Sequence, residues 1–324
     1  MSDYDDALSI SSCSIDNIDA CQRIENQTIL FRCSDNAGFA SELNNLFRAF
    51  LYAIKNKRRF LIDDQLWNYG KISFYFNTSK GNFFHSFIST TDSSLENQMV
   101  SLDNRSHVTH LVITRDKDHS FSTLNSLMNP YETNVTEIIS FKRKIARFFW
   151  NLRTERTKFL TEKLLNNLRI ENIHYAMHIR RGDKIGNEAA PIPLIRYINA
   201  VEQLMIQHKR SNSSSFEIFV ATDEPRIIEE LRLFKPNWIL IRLDFPSWIL
   251  NEHKFGHFQW QFNRLPLIQK YQLTILLMSE LEVLSRIPYV VCTFSSNICR
   301  FVHILRTQPY DSVISLDEKV WYPK

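Results

Sequence analysis

The C-terminal half of this sequence predicts an α/β fold, a doubly wound, Rossmann-like parallel sheet, and three observations carry that prediction. From about residue 172 onward, short apolar runs of strand length alternate with longer stretches of helical period. The strand runs are apolar at consecutive positions, as strands covered on both faces require. A helix-length segment separates each strand from the next, which is the connection that joins parallel neighbours.

Taken in order, "HYAMHI" (174 to 179) reads as the first strand of this half. "PLIRYINAVEQLMIQHKR" (193 to 210) reads as an amphipathic helix with Leu194, Tyr197, Ile198, Val201 and Leu204 on one face. After the polar loop "SNSSS" come a strand "FEIFVAT" (216 to 222), a helix around "RIIEELRLF" (226 to 234), a strand "WILIRL" (238 to 243) and a long helix near 265 to 286. "YVVCT" (289 to 293), "NICRFVHILR" (297 to 306) and "SVISL" (312 to 316) complete the series as strand, helix and strand.

The first half is less regular. "SELNNLFRAFLYAIKNKR" (41 to 58) predicts an amphipathic helix and "RFLID" (59 to 63) a strand, followed by a polar, turn-rich segment with weak strand signals at "ISFYF" (72 to 76) and "HLVIT" (110 to 114). One or two helices are expected over 138 to 168. The predicted organisation is an acidic, serine-rich tail (1 to 20), an N-terminal α/β domain (21 to 170) and the Rossmann-like domain (171 to 324).

Composition narrows the class. With 324 residues, 44% of them apolar and 23% charged, the chain is long enough for two ordinary domains, each with its own core. A net charge of +4 does not imply a nucleic-acid partner, and the run "KNKRR" (55 to 59) reads as a solvated helix end. The opening lacks the basic start and apolar block of a secretory signal. No apolar run approaches the ~18 to 20 residues that span a bilayer, so no membrane anchor is expected. Cys13, Cys21, Cys33, Cys292 and Cys299 fit neither a dense disulfide framework nor a zinc ribbon. One bridge among the first three is open to a luminal chain. N-x-S/T sequons at Asn26, Asn77, Asn104, Asn134 and Asn212 carry meaning only for a secreted one. Oligomeric state is not legible.

Ligands of open α/β sheets sit beyond the carboxyl ends of the strands. That rule selects "RRGDK" (180 to 184), "DEP" (223 to 225) and "FSS" (294 to 296). Arg180 and Arg181 offer planar forks to phosphate oxygens, and Ser295 and Ser296 stand where a helix N-terminus favours an anion. The residues are equally consistent with an exposed turn of mutually paired charges and with ordinary helix caps. The chain has six glycines and neither GxGxxG nor a Walker loop, which disfavours a dinucleotide dehydrogenase or P-loop kinase. No HExxH or Cys/His cluster offers a metal site, and Asp63–Asp64 reads as strand-end solvation.

Three motifs in order carry a resemblance. "HIRRGDKIGNEAA" (178 to 190) resembles the H-x-R-R-x-D-K-x-G-x-E-A-A signature of the eukaryotic α1,6-fucosyltransferases, which add core fucose to N-glycans, and more loosely the bacterial nodulation fucosyltransferases. "VATDEP" (220 to 225) is similar to the family's A-T-D-D-P, and "VCTFSSNICR" (291 to 300) to its V-C-T-F-S-S-x-x-C-R. "SLDEKVWY" (315 to 322) resembles the segment closing the catalytic core, and "NAGFASELNNLFRAFLYA" (36 to 53) the first catalytic helix. The resemblance covers about 21 to 322.

The resemblance implies a GT-B-like, two-domain inverting transferase that takes GDP-β-L-fucose, needs no metal or other cofactor, and acts on the innermost GlcNAc of an N-glycan; the alternatives are a chitin-type oligosaccharide or protein hydroxyl as acceptor, or a catalytically silent relative that binds nucleotide or glycan. By position, Arg180 holds the β-phosphate with Ser296, Ser295 and Arg181 nearby. His178 lies by the guanine, and Glu280 stands where the family has an aspartate reading the guanine edge. Asp183, Asp223 and Glu224 match acidic positions of the motifs. Gly38 and Phe39 match a glycine-tyrosine-glycine loop near the donor, with the hydroxyl lost. Glu188 is the implied catalytic base, with Lys184 relaying or positioning the proton. The family works in the Golgi lumen, whereas this chain shows no signal or anchor that would take it there. Its aromatic loop 244 to 264 does not follow the family's text.

Overall fold

The computed structural model describes residues 28–33, 37–55, 59–77, 99–100, 110–113, 135–184, 191–208, 216–244, 256–307 and 312–317. The tail over 1 to 20, expected to be separate from both domains, lies outside them. The chain divides into two units, Met1–Thr157 with Pro323–Lys324 and Lys158–Tyr322.

The first unit holds a parallel sheet in the order β2-β1-β4-β3, formed by β1 (Thr28–Arg32), β2 (Arg59–Asp63), β3 (Met99–Val100) and β4 (His110–Ile113). Its helices are α1 (Phe39–Lys55) and α2 (Val135–Asn151). Ile29, Leu30 and Phe31 of the inner strand are buried, with Leu43, Leu46, Phe47 and Phe50 of α1. The Phe149 ring of α2 sits 5.2 Å from both Phe47 and Phe50, an edge-and-tilt arrangement that matches the ring quadrupoles. β1 and β3 carry no signal that the sequence reading used.

The expected strand over 72 to 76 is a correction. Ile72–Phe74 forms a 3-10 turn, and Phe76 makes only an isolated bridge to Arg153. The cause is local: the Asp64 carboxylate accepts the Ile72 N–H at 2.7 Å and the Lys71 ammonium at 3.2 Å, bending the backbone before a ladder forms.

Helix α3 (Glu155–Leu165) carries the division between the units at Thr157/Lys158, upstream of residue 170. The second unit is a five-stranded, wholly parallel sheet of β5 (Tyr175–Ile179), β6 (Phe216–Thr222), β7 (Trp238–Ile241), β8 (Tyr289–Cys292) and β9 (Val313–Ser315). The order is β7-β6-β5-β8-β9, so the chain winds outward from β5 first to one side and then to the other. The helices are α4 (Leu194–Gln207), α5 (Ile227–Phe234), α6 (Gln259–Arg264), α7 (Leu267–Arg286) and α8 (Asn297–Leu305).

One face of this sheet packs as the helical spacing predicted. Tyr175, Met177 and Ile179 meet Leu194, Tyr197, Ile198, Val201 and Leu204 of α4, with Ile227 and Leu231 of α5. Each such aliphatic side chain contributes ~1.5 to 3 kcal/mol when buried. Alternation along β5 sends Ala176 and His178 to the opposite face. α6 is separate from α7 because Leu265 precedes Pro266 and takes an extended backbone, φ −65° and ψ 147°. Among the described residues no helix is long and apolar enough to cross a membrane.

Candidate functional site

The winding order makes the carboxyl end of β5, between β6 and β8, the point where strand order reverses. Arg180 follows β5 there, and two carboxylates hold it. Its Nη2 donates to Asp183 Oδ1 at 2.8 Å, and its Nε stands 3.4 Å from Asp223 Oδ2. The side chain retains 16% exposure, so the guanidinium is oriented from behind and still reachable from solvent.

Asp223, just past β6, is the centre of the arrangement. Its Oδ1 accepts the Arg181 N–H at 2.7 Å and its Oδ2 accepts the His257 N–H at 3.3 Å. Asp183 repeats the pattern: its N–H donates to the His257 carbonyl at 3.1 Å, and its Oδ2 accepts the Gln259 N–H at 3.0 Å. The turn after β5 is thus sewn to the segment that begins α6. Two glycines permit so close a crossing. Gly182 has φ +68°, and a Cβ there would lie 2.2 Å from the His257 carbonyl oxygen; Gly256 has φ +99°, and its Cβ would lie 2.5 Å from the Gly182 nitrogen.

Arg181, expected to offer a second fork, directs Nη1 to the Ile192 carbonyl at 3.1 Å and braces the approach to α4. Glu224 accepts from Arg226 at 3.0 Å. The main chain of Lys184 closes the 3-10 turn Gly182–Lys184; its side chain and the whole of Glu188 lie outside the described residues.

At the third strand end, the turn 293 to 296 leads into α8. Ser296 is its N-cap in extended conformation, and its hydroxyl makes no capping bond. The amides of Phe294 and Ser295, which precede the helix, are taken by a carboxylate. Asp317 Oδ1 accepts the Phe294 N–H at 2.8 Å and Oδ2 the Ser295 N–H at 3.0 Å, while the Ser315 hydroxyl also donates to Asp317 at 2.7 Å. A Cys292–Cys299 disulfide, not anticipated from the spacing, ties the end of β8 to α8 on either side of this turn. Cys33 is buried and unbridged, and Cys13 and Cys21 lie outside the described residues.

Behind Arg180, His178 is 5% exposed and its Nδ1 has no hydrogen-bond partner. Burial lowers its pKa to about 4, against an opposing pull from Asp223, so the imidazole is neutral. Glu280 on α7 is shifted the other way: removal of its carboxyl from water, and then the nearby Asp223 charge, raise its pKa to about 8. Both groups feel the Asp223 charge, and a neutral imidazole with an unused nitrogen and a carboxyl that resists ionisation are polar groups that can accept N–H donors.

Gly38 and Phe39 belong to the first unit. The Phe39 ring is 1% exposed and packs among Trp67, Tyr69 and Tyr75 at 5.9, 5.3 and 6.0 Å. Its N–H donates to the Tyr69 hydroxyl at 2.7 Å. The ring is committed to packing, and Gly38 beside it is half-buried. Sequence reasoning missed Asp317 as a cap, although "SLD" at the end of the last strand was its visible trace.

Residues 11–245 match the family model of α-(1,6)-fucosyltransferase N- and catalytic domains. The chain is 29% identical over 172 residues to the α-(1,6)-fucosyltransferase of Drosophila melanogaster, a stretch covering 51% of this chain and 25% of that relative. The alignment thus spans about a quarter of the relative's length. Among solved structures, a mutant of Arabidopsis thaliana FUT1 in complex with GDP superposes with a TM-score of 0.54 at 12% identity, covering 95% of this chain and 74% of the other. The NodZ α-1,6-fucosyltransferase soaked with GDP-fucose gives 0.51 at 12% identity, covering 87% and 93%. At such identities these two likenesses speak for the shared fold.

Proposed function

The chain belongs to the family of α-(1,6)-fucosyltransferase N- and catalytic domains, and from that premise we propose that it moves L-fucose from GDP-β-L-fucose to the 6-hydroxyl of the innermost GlcNAc of an N-glycan. The observation that carries the reading is Arg180, held between Asp183 and Asp223 at the strand-order reversal with its guanidinium still accessible. A fork set there in advance suits a diphosphate whose charge grows as it leaves.

In the proposed step the acceptor oxygen attacks the anomeric carbon from the face opposite GDP. The new O–C bond forms as the C–O bond to the β-phosphate breaks, the electron pair leaves with GDP, and configuration inverts. Glu188 takes the acceptor proton, a role typically worth ~10² to 10⁴ in rate, with Lys184 positioning it. Arg180 takes up the leaving charge, assisted by Ser296, so that cationic side chains serve where a metal otherwise would. His178 and Glu280 lie at the guanine, with a Glu280 carboxyl oxygen accepting a guanine N–H.

The test is mass spectrometry of a GlcNAc-terminated biantennary glycopeptide incubated with the protein, GDP-fucose and a chelator. One deoxyhexose added to the innermost GlcNAc is expected. No addition, with GDP binding intact by calorimetry, would overturn the acceptor assignment. Glu188→Gln is expected to abolish transfer and leave GDP binding in place.

A further inference from the structure

Helix α6 is six residues long, and its two aromatic residues behave oppositely. Phe262 is 2% exposed and packs toward the His257 ring at 5.6 Å, which attaches the helix to the unit. Trp260 is 55% exposed and contributes little to that attachment. An indole is the largest apolar surface a residue can offer, and leaving it in water forgoes a substantial burial gain. Arg264, one turn on, sets its guanidinium over the ring at 5.1 Å. Leu267 and Ile268, at the start of α7, are likewise exposed, at 51% and 61%.

The place of this ring gives it meaning. Gln259, the residue before Trp260, donates its N–H to the same Asp183 carboxylate that holds Arg180. Trp260 is therefore carried by an element whose first residue is hydrogen-bonded to the turn that holds Arg180. His178 and Glu280 offer polar groups, whereas the Trp260 indole is exposed and apolar. A nucleotide base suits the first. The second suits a ligand with one apolar face and a polar edge that stays wet, and a pyranose ring, with C–H groups on one face and hydroxyls around its rim, has that form.

We propose that Trp260 is the acceptor platform: the apolar face of an N-acetylhexosamine ring lies on its indole, with Arg264 holding the indole in place. The proposal rests on the transferase reading and adds to it the residue that recognises the acceptor's sugar face. Trp260 is then a specificity determinant for pyranose acceptors and has no part in holding the donor.

The experiment uses the full chain labelled with ¹⁵N at its tryptophan indoles, saturated with GDP and titrated with N,N′-diacetylchitobiose. The Trp260 signal is assigned by its loss in Trp260→Phe. The expected result is a saturable shift of that signal. Trp260→Ala should weaken chitobiose binding about tenfold or more, the scale of one well-packed aromatic contact, while GDP affinity stays within about twofold as a control for folding. Chitobiose binding that spares the Trp260 signal, or that survives Trp260→Ala unchanged, overturns the proposal, as does absence of chitobiose binding to a chain that binds GDP. A shifted Trp260 signal without fucose transfer in the glycopeptide assay sinks the transferase reading and leaves the platform standing. Transfer with an unchanged acceptor KM in Trp260→Ala does the reverse.

Discussion

The Asp223 carboxylate accepts the main-chain N–H of Arg181 at 2.7 Å, bridging the ends of two neighbouring parallel strands, β6 and β5. Because the same carboxylate also takes the His257 N–H and faces the Arg180 guanidinium, three segments depend on one side chain. Asp223→Ala leaves part-buried donors unmatched and is expected to cost about 1 to 3 kcal/mol of stability. Thermal unfolding measures the loss, and GDP calorimetry at a temperature where the variant is folded should show weakened binding. A midpoint within a degree of the parent's would show that the turn stands without this carboxylate.

Gly182 and Gly256 are where the two backbones cross. Gly182→Ala combines a positive φ with a Cβ that would stand 2.2 Å from a carbonyl oxygen. A destabilisation of roughly 2 to 4 kcal/mol is expected, because backbone atoms cannot swing away as a side chain would. The decisive comparison is with an alanine at Gly70, which also has a positive φ: equal losses at the two sites would assign the whole effect to φ and none to the crossing.

Glu280 gives a pH dependence of definite sign. Its pKa is about 8 in the folded chain, raised by burial and by Asp223, against 4.5 for an ordinary glutamate. Below pH 4.5 the group is protonated in both states and adds no penalty. Between 4.5 and 8 the unfolded chain ionises first, so stability is lost as pH rises through that window. Glu280→Gln should therefore raise the unfolding midpoint relative to the parent at pH 8, with the gap closing toward pH 4.5. A gap that is flat from pH 5 to 8 would show that Glu280 ionises normally.

Arg180→Lys keeps the charge and loses the fork. An ammonium cannot face Asp183 and Asp223 as the guanidinium does while still offering a planar pair of donors. GDP affinity is expected to fall about tenfold to a hundredfold, with thermal stability changed less than in Asp223→Ala. Calorimetry with GDP that returned the parent's affinity would remove Arg180 from the donor site.

What could be read from the sequence follows the range of the interactions involved. The second unit was legible because its strands and helices announce themselves within windows of ten or so residues, and the Leu194–Leu204 face of α4 packs as its spacing required. Arg180, Asp183 and Asp223 converge because the strand-end rule needs only the strands to be placed. Asp317 was not legible as a cap, since the Ser295 amide it holds lies 22 residues upstream. The 72 to 76 segment misled because its apolar pattern is genuine while Asp64, eight residues before Ile72, decides the backbone. The task of Arg181 was hidden for the same reason: its partner, the Ile192 carbonyl, has no side chain to mark it.

The Cys292–Cys299 bridge closes a small covalent ring around the turn that faces the strand-end site. Its presence depends on the redox history of the sample as well as on the sequence. With the bridge reduced, the contacts that remain on this turn include those from Asp317 to the Phe294 and Ser295 amides. Oxidised and reduced preparations are therefore expected to hold that turn with different firmness, and any ligand affinity measured for this protein belongs with the state of those two sulfurs.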